Sequence, residues 1–338
     1  MPRSHGPTLK DIAAAAGVTP MAVSVALNGS NSRSRVSAAT RERICAIAER
    51  LGYQANAVAR SLHRQRTDVI GLWSGRNSFN ADAPFSAVVL HGLQIGCAEN
   101  GKDLLLRGAL AEGTVDDVAY RELADGRVDG AVVDVEPDDP RWPVLRRSGL
   151  ALVGMIDPLP GVPCVLCDDV EAGRLMCAHL YERGHRHVLW RGPSVRRGSQ
   201  NARRDSFFAE AARLGMTVER SVFEYTHPGL TAVERDLLDP ARPGRCTAMI
   251  GFADHAVHRV LDDFDTLGWT VPGDVAVAGF DGLRLFLGAT PHHRLTTVVM
   301  PWQEVARQAV GLLARLINGQ PVPELTVLPV VFHHGLTT

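Results

Sequence analysis

The sequence predicts a small all-α N-terminal domain followed by an α/β body of two lobes, each built on a doubly wound parallel sheet. The first observation is charge: residues 1–66 hold ten Lys/Arg and three Asp/Glu, a net charge of +7, whereas the other 26 bases and 34 acids give −8. The second is that apolar residues before residue 54 recur at helical spacing between capping residues. The third is that short apolar strands alternate with amphipathic helices from Thr67 onward, which is typical of parallel sheets covered on both faces.

Length and composition describe an ordinary globular chain. Its 338 residues, 45% hydrophobic and 22% charged, suffice for two or three domains. The opening MPRSHGP lacks the apolar core of a secretory signal, and no stretch approaches the ~18 apolar residues of a membrane span, so we expect a cytoplasmic protein. Its six scattered cysteines predict reduced thiols and no disulfide framework.

The N-terminal segment predicts three short helices. Thr8 is a favourable N-cap with Asp11 three residues later, and Gly17 ends the first helix. Thr19 caps a second helix whose first position is proline, and Ser37 opens a third helix after a polar loop. Two helices joined by a tight glycine turn make a helix-turn-helix unit, whose second helix lies in the DNA major groove.

The second helix carries apolar groups on two sides. Val23 and Leu27 share one arc at 100° per residue, which predicts their burial. The opposite arc holds Met21, Ser24, Val25 and Asn28. Apolar side chains on an outward face indicate contact with something other than water, either DNA or a neighbouring domain.

The whole segment resembles a known family. TLKDIAAAAGVTPMAVSVALNG, followed by RVSAATRERICAIAERLGYQANAVARSL, is similar to the N-terminus of the LacI/GalR family of bacterial transcription regulators. The resemblance implies that the second helix faces base edges and phosphates, where apolar groups pack against thymine methyls. The family commonly has Arg or His at the position of Val25, so readout here is expected to be less polar. The implied DNA-binding residues are Thr8, Thr19, Met21, Ser24, Val25, Asn28, Tyr53, Asn56, Ala59 and Leu62.

Residues 55–67 are predicted to be a hinge helix and linker after a helix-turn-helix domain at 1–54. The segment NAVARSL is only one or two turns long, and so short a helix is marginal in water unless a partner stabilises it. In the resembled family this segment folds when two subunits meet on a palindromic operator, and a leucine wedges into the minor groove. That residue corresponds to Leu62, with Ala59 beside it and Asn56 placed for a phosphate contact. The alternative is a simple polar linker.

The body contains the strand-helix alternation twice. DVIGLW, DLLLRG, VDGAVVDV and LALVGMID precede Val165, whereas HVLWRG, TAMIGF and VAVAGFD follow it. The resemblance, carried by IDPLPG, HLYERGHRHV, DTLGWTVPGDVAVAGFDG and LTTV, implies a two-lobed body like that of periplasmic binding proteins, with three crossings between lobes. The expected lobes are residues 68–165 with 296–326, and residues 166–295 with 327–338.

A ligand site is expected between the lobes, at the carboxyl ends of the strands. Asp157 and Asp281 each end a predicted strand and are expected to contact the effector. The resemblance implies two further contacts, Arg203 and Phe85, and Asp82 lies near Phe85 in the chain. Carboxylates and a guanidinium suit a hydroxyl-rich ligand, because the former accept bonds from adjacent hydroxyls and the latter donates several. This chain departs from the family in having Ala253 before Asp254, where an asparagine is usual, and Arg191 after the strand HVLW. An unusual saccharide, an anion or a vestigial site therefore all stay open.

The sequence favours regulation over catalysis. It contains no nucleophile elbow, phosphate-binding loop or dinucleotide fingerprint, and neither its CxxC pair nor its paired histidines have metal-site spacing, so no cofactor or metal is expected. The sequence predicts a homodimeric transcription regulator that binds a palindromic operator and is expected to act as a repressor. Its predicted effector is a small molecule of the carbohydrate type. Alternatives are a solute-binding protein with the same body and, less favoured, an enzyme.

Overall fold

The computed structural model describes residues 6–28, 36–54, 61, 64–74, 84–106, 125–193, 198–224, 229–283 and 295–338. The chain divides into two compact units, Met1–Asp68 and Val69–Thr338, which we call the head and the body. Among the described residues, no single helix has the length and hydropathy needed to cross a membrane.

The head contains three helices around a small apolar core. They are α1 (Leu9–Ala16), α2 (Pro20–Asn28) and α3 (Ala38–Arg50), and α1 and α2 meet at a bend of 104°. Each helix contributes a fully buried residue to this core: Ile12, Val23 and Ile44. The predicted caps at Thr8 and Ser37 are confirmed, as is the helix end at Gly17. Three short helices therefore stabilise each other through contacts that none could provide alone.

The first lobe of the body is built on a six-stranded parallel sheet. Its strands follow the order β11-β5-β4-β3-β1-β2, so β11, the last of these strands in the chain, lies at one edge. The elements are β1 (Val69–Ser74), α4 (Pro84–Glu99), β2 (Asp103–Leu106), β3 (Gly130–Asp134), α5 (Trp142–Arg146), β4 (Ala151–Met155), β5 (Cys164–Cys167), α10 (Trp302–Ile317) and β11 (Leu325–Leu328). Helix α10 packs against α4 and against β3 to β5, so this late helix lies in the first lobe.

The second lobe has a sheet of the same size. The strand order is β12-β10-β9-β8-β6-β7, and only the short β12 runs antiparallel to its neighbour. The elements are α6 (Asp169–Glu182), β6 (His187–Pro193), α7 (Gly198–Arg213), β7 (Thr217–Phe223), α8 (Ala232–Leu238), β8 (Ala248–Gly251), α9 (His255–Leu267), β9 (Ala276–Asp281), β10 (Thr296–Val299) and β12 (Val331–His333). The described strands thus form the two parallel-sheet lobes expected from the alternating pattern.

The lobe boundaries differ from the predicted ones by two to four residues. Leu166 and Cys167 belong to β5 in the first sheet, and Val327 and Leu328 belong to β11 beside it. The strand Thr296–Val299 pairs with β9 in the second sheet, although we expected it to begin the return to the first lobe. Short apolar strands look alike in sequence, and their sheet is decided by tertiary pairing rather than by local pattern.

Candidate functional site

The turn between α1 and α2 is fixed by local hydrogen bonds. Thr8 N and Oγ1 each donate to Asp11 Oδ2 at 2.8 Å, and Asp11 N donates back to Thr8 Oγ1, so α1 begins with a complete capping box. Gly17 ends α1 in the left-handed conformation with φ 65°, which a residue with a Cβ adopts only at a cost. Thr19 Oγ1 then accepts from Ala22 N at 3.2 Å and caps α2. The start of α2 is therefore held rigidly relative to α1.

The outward side of α2 is only partly as predicted. Met21 is 66% exposed, which leaves a large apolar side chain in solvent at the start of the helix. Ser24 is half-buried. Val25 is 4% exposed, so the prediction that it lies on the exposed face is wrong. A helical wheel gives the direction of a side chain around the axis but not which part of the chain covers that direction.

Several predicted DNA contacts cannot be placed. Tyr53 is half-buried against the core of the head. The Asn28 side chain lies outside the described residues, as do Asn56, Ala59 and Leu62. At the described positions of the predicted hinge, Ser61 and Arg64 are helical.

The described surface of the head is mainly cationic. Its exposed basic side chains are Lys10, Arg41, Arg43, Arg50, Arg64 and Arg66, and its exposed acids are Asp11, Glu42 and Glu49. Asp11 is also engaged with Thr8 in the α1 cap, and these hydrogen bonds lower its pKa. A surface with this excess of positive charge attracts a polyanion and repels another cationic surface.

Three of the predicted effector contacts lie together in the body. Asp157 follows β4 in the first lobe, Asp281 ends β9 in the second, and Arg203 lies on α7. All three are buried. Phe85, at the start of α4, packs edge-on against Trp302 with ring centroids 5.4 Å apart, whereas Asp82 lies outside the described residues. Arg203 and Asp281 thus form a charged pair at the carboxyl end of β9, and Asp157 contacts the start of α7 through Ser199 N.

Arg203 is held by a carboxylate that the sequence analysis did not identify. Its Nε and Nη2 donate to Asp169 Oδ1 at 2.9 and 2.8 Å, and its Nη1 donates to the Phe252 carbonyl at 2.9 Å. Asp281 Oδ1 lies 3.7 Å from Nη1. Burial lowers the pKa of Arg203, but Asp169 and Asp281 outweigh burial and raise it. The guanidinium is therefore fully ionised, tightly oriented and already paired.

Two hydrogen bonds join the lobes at this site. Ser199 N, in the second lobe, donates to Asp157 Oδ1 at 2.6 Å. Trp302 Nε1, at the start of α10 in the first lobe, donates to Asp281 Oδ1 at 3.2 Å. Both acceptors are predicted ligand carboxylates, so a ligand that engaged them would compete with bonds that hold the lobes together.

Backbone strain occurs beside both of these carboxylates. Ile156, immediately before Asp157, has φ 76°, and Asp281 has φ 112°. A β-branched residue at positive φ is an outlier, and such strained conformations concentrate at ligand-binding and switching sites. The positive φ angles therefore indicate a functional role for this site, independently of any single side chain.

Asp254 is a second aspartate that the sequence analysis left out of the site. It is buried beside Asp281, accepts from Thr297 Oγ1 at 2.7 Å and accepts from Leu283 N at 3.1 Å. Burial raises its pKa well above the ordinary value, and the charge of Asp281 adds to the rise. Its position after a buried strand was the available signal, but aspartates at strand ends are more often helix caps or loop residues.

Arg191 has a structural partner of its own in the second lobe. It is fully buried on β6, where its Nε lies 2.9 Å from Glu234 Oε1 and its Nη1 donates to the Ala256 carbonyl at 2.7 Å. Burial lowers its pKa, and Glu234 opposes the change. The unusual arginine thus links β6 to α8 and α9 through a buried ion pair.

Comparisons with known proteins cover the whole chain. A family model described as bacterial regulatory proteins, lacI family, matches residues 8–56, and one for a periplasmic binding protein-like domain matches residues 177–335. An HTH-type transcriptional regulator of Mycolicibacterium smegmatis is 30% identical over 368 residues, covering 100% of this chain and 99% of that protein. The solved structure of a transcriptional regulator CelR-cellobiose complex is 29% identical with a TM-score of 0.68, covering 98% of this chain and 100% of that one. The lac repressor dimer bound to operator and the anti-inducer ONPF shares the fold, with 22% identity, a TM-score of 0.78 and 99% coverage of both chains.

Proposed function

The chain belongs to the LacI family of bacterial regulatory proteins, and on that premise we propose that it is a homodimeric repressor whose binding to a palindromic operator is controlled by a small hydroxyl-rich effector. It is a DNA-binding transcriptional regulator and not an enzyme. We place its action in the cytoplasm, where bacterial DNA is found.

The observation that carries this proposal is the geometry of the head. A helix pair bent by 104°, with a rigid capped turn, presents the start of α2 outward. Helix-turn-helix units contact base edges with the N-terminal residues of the second helix, and Met21 is an exposed large apolar residue at that place. Its apolar side chain suits the thymine methyl. Ser24 is the proposed polar contact on the next turn, while Thr8, Thr19 and Tyr53 support the helices.

Selection of bound duplexes from a random DNA pool tests this proposal. Two heads related by two-fold symmetry should select a palindrome with half-sites about one helical turn apart. Selection of an asymmetric site, or of no site, would contradict the proposed dimer on DNA. A matched selection with Met21→Ala tests whether the exposed face of α2 contacts the bases. The preferred base should then change at one position in each half-site.

The hinge completes the proposed DNA contact. We propose that residues 55–67 contact the operator as a hinge, with Asn56 at a phosphate, Ala59 beside the groove and Leu62 wedged into the minor groove. An apolar wedge unstacks a base step at a cost of a few kcal/mol, which is offset by the added contact surface of the bent DNA. Asn28, at the end of α2, would add a contact at the edge of the major groove.

The effector is proposed to bind between the lobes at Phe85, Asp157, Arg203 and Asp281, with Asp82 nearby. The relative CelR was solved with cellobiose, and the carboxylates found here are suitable acceptors for sugar hydroxyls. Because Asp157 and Asp281 accept bonds that cross between the lobes, a ligand that takes over these acceptors shifts the lobe arrangement. Operator affinity then changes by the difference in ligand affinity between the two arrangements.

A titration of the selected duplex in the presence of sugars tests the effector proposal. Cellobiose and a panel of neutral mono- and disaccharides are added to the chain bound to fluorescent operator, and the apparent affinity is followed by anisotropy. At least one of them should shift the curve, and Asp281→Asn should weaken that shift without changing operator affinity in the absence of sugar. A panel that leaves every curve unchanged would contradict a carbohydrate effector.

A further inference from the structure

We propose that Asp169 is a specificity-determining residue of the effector cleft, which cancels the charge of Arg203 and thereby restricts the cleft to uncharged, hydroxyl-rich ligands. Anionic ligands, such as sugar phosphates and sugar acids, are excluded. The inference rests on the proposed function, because it takes the cleft to be the effector site.

The contact between Asp169 and Arg203 uses the guanidinium N–H groups that would otherwise bind an anion. Both Nε and Nη2 of Arg203 donate to the same Asp169 oxygen, at 2.9 and 2.8 Å. The edge of the guanidinium that would grip a carboxylate or phosphate with two parallel bonds is therefore already used by Asp169. The third nitrogen, Nη1, donates to the Phe252 carbonyl at 2.9 Å.

Because this pair is buried, the charge of a ligand strongly affects whether it can bind beside Arg203. The exposed side-chain fractions of Arg203 and Asp169 are 3% and 7%, so solvent and salt screen their fields weakly. Asp281, 3.7 Å from Nη1, adds a second carboxylate to the same guanidinium. An incoming anion would meet a cation that is already neutralised, together with carboxylates that repel it. A neutral ligand pays no such penalty, because its hydroxyls donate to carboxylate oxygens.

Asp169 is fixed in place by the elements that carry it. It is the first residue of α6, after the N-cap Asp168, whose side chain accepts from Glu171 N at 2.9 Å. A carboxylate in the first helical turn is favoured by the helix dipole. One turn later, Gly173 faces the Arg203 carbonyl so closely that a Cβ would lie 2.2 Å from its oxygen. Helices α6 and α7 are thus locked together where the ion pair forms.

The inference is tested with Asp169→Asn and with Asp205→Asn as the matched control. Both variants remove one negative charge, but Asp205 is exposed and pairs with Arg204 on the surface. The probe is sodium sulfate, exchanged against sodium chloride at constant ionic strength, with binding measured by calorimetry. The natural chain and Asp205→Asn should show no saturable sulfate binding. Asp169→Asn should show saturable sulfate binding at least about tenfold tighter than the weakest affinity that the titration detects, equivalent to ~1.4 kcal/mol.

The gain in sulfate affinity of Asp169→Asn must depend on Arg203. It should disappear again in the double variant Asp169→Asn/Arg203→Gln, and Asp169→Ser should reproduce it if Asp169→Asn does not fold. Sulfate binding by the natural chain that is lost in the folded double variant Asp169→Asn/Arg203→Gln would overturn the inference. So would a folded Asp169 variant that binds sulfate no better than Asp205→Asn.

The neutral-sugar titration separates this inference from the proposed function. If a sugar still shifts operator affinity but the Asp169 variants gain no affinity for sulfate, only the role of Asp169 is contradicted. If no neutral sugar shifts operator affinity in the natural chain, a carbohydrate effector is contradicted, and the inference fails with it.

Discussion

Replacing Gly173 with alanine should push apart the two helices that hold Arg203. A Cβ at this position would lie 2.2 Å from the Arg203 carbonyl oxygen and 2.9 Å from Phe207 N, and both are backbone atoms that cannot rotate away. Ordinary contact begins at 3.4 Å, so α6 and α7 must separate locally by about 1.2 Å. Overpacking of this kind costs about 1–3 kcal/mol, and the better helix propensity of alanine returns up to ~1 kcal/mol. Because the clash is with two backbone atoms, the cost lies in the upper part of that range, and we expect a net destabilisation of about 1–2 kcal/mol.

Gly311→Ala is the matched control, because it makes the same change in the middle of α10. No heavy atom lies within 4 Å of a Cβ there, so alanine should stabilise the helix by about 0.5–1 kcal/mol. All five tryptophans lie in the body, and their fluorescence during urea unfolding therefore reports the body without the head. The two variants should shift the urea midpoint in opposite directions with unchanged slopes. A Gly173→Ala protein as stable as the natural chain would refute the close packing at Arg203.

The remaining predictions concern the ion pair and the DNA contacts. Arg203→Met leaves Asp169 buried without its cation and should destabilise the body by about 3–5 kcal/mol, whereas Arg204→Met removes an exposed pair worth at most ~1 kcal/mol. Burial raises the pKa of Asp169, and protonation removes its unpaired charge. The loss of unfolding free energy in Arg203→Met should therefore be smaller at about pH 5 than at about pH 7. Equal losses at the two pH values, measured by urea unfolding, would contradict this. Leu62→Ala should weaken binding to the selected operator far more than binding to random DNA, because a wedge acts only on a correctly bent site, and equal losses in a gel-shift titration would exclude the wedge. Met21→Gln should leave the thermal stability of the head within ~0.5 kcal/mol, because the side chain is 66% exposed, yet change the selected half-site; an unchanged site would argue against base contact.

The features that could be predicted from sequence are those decided by near neighbours in the chain. The caps at Thr8 and Ser37 and the helix end at Gly17 each depend on residues within one turn, so the local pattern sufficed. The alternation of apolar strands and helices likewise gave the two parallel sheets. Arg203 and Asp281 could be brought together only through the resemblance to a family, since they lie far apart in the chain.

The features that sequence reasoning missed depend on tertiary contacts. Val25 is covered although its helical wheel position points away from the buried arc. The sequence around Asp169 carries no local sign of its partner, because its pairing with Arg203 depends on the packing of α6 on α7. Thr296–Val299 could pair with either sheet by composition, and only the register with β9 decides between them.

An equilibrium titration of labelled DNA tests the central claim most directly. The palindromic duplex obtained by selection is compared with a scrambled duplex of the same composition at one fixed salt concentration, because phosphate contacts alone bind any sequence. We expect at least about a thousandfold preference for the palindrome, with two chains bound to each duplex. Equal affinity for the two duplexes would contradict the assignment of the head as a sequence-specific DNA-binding module.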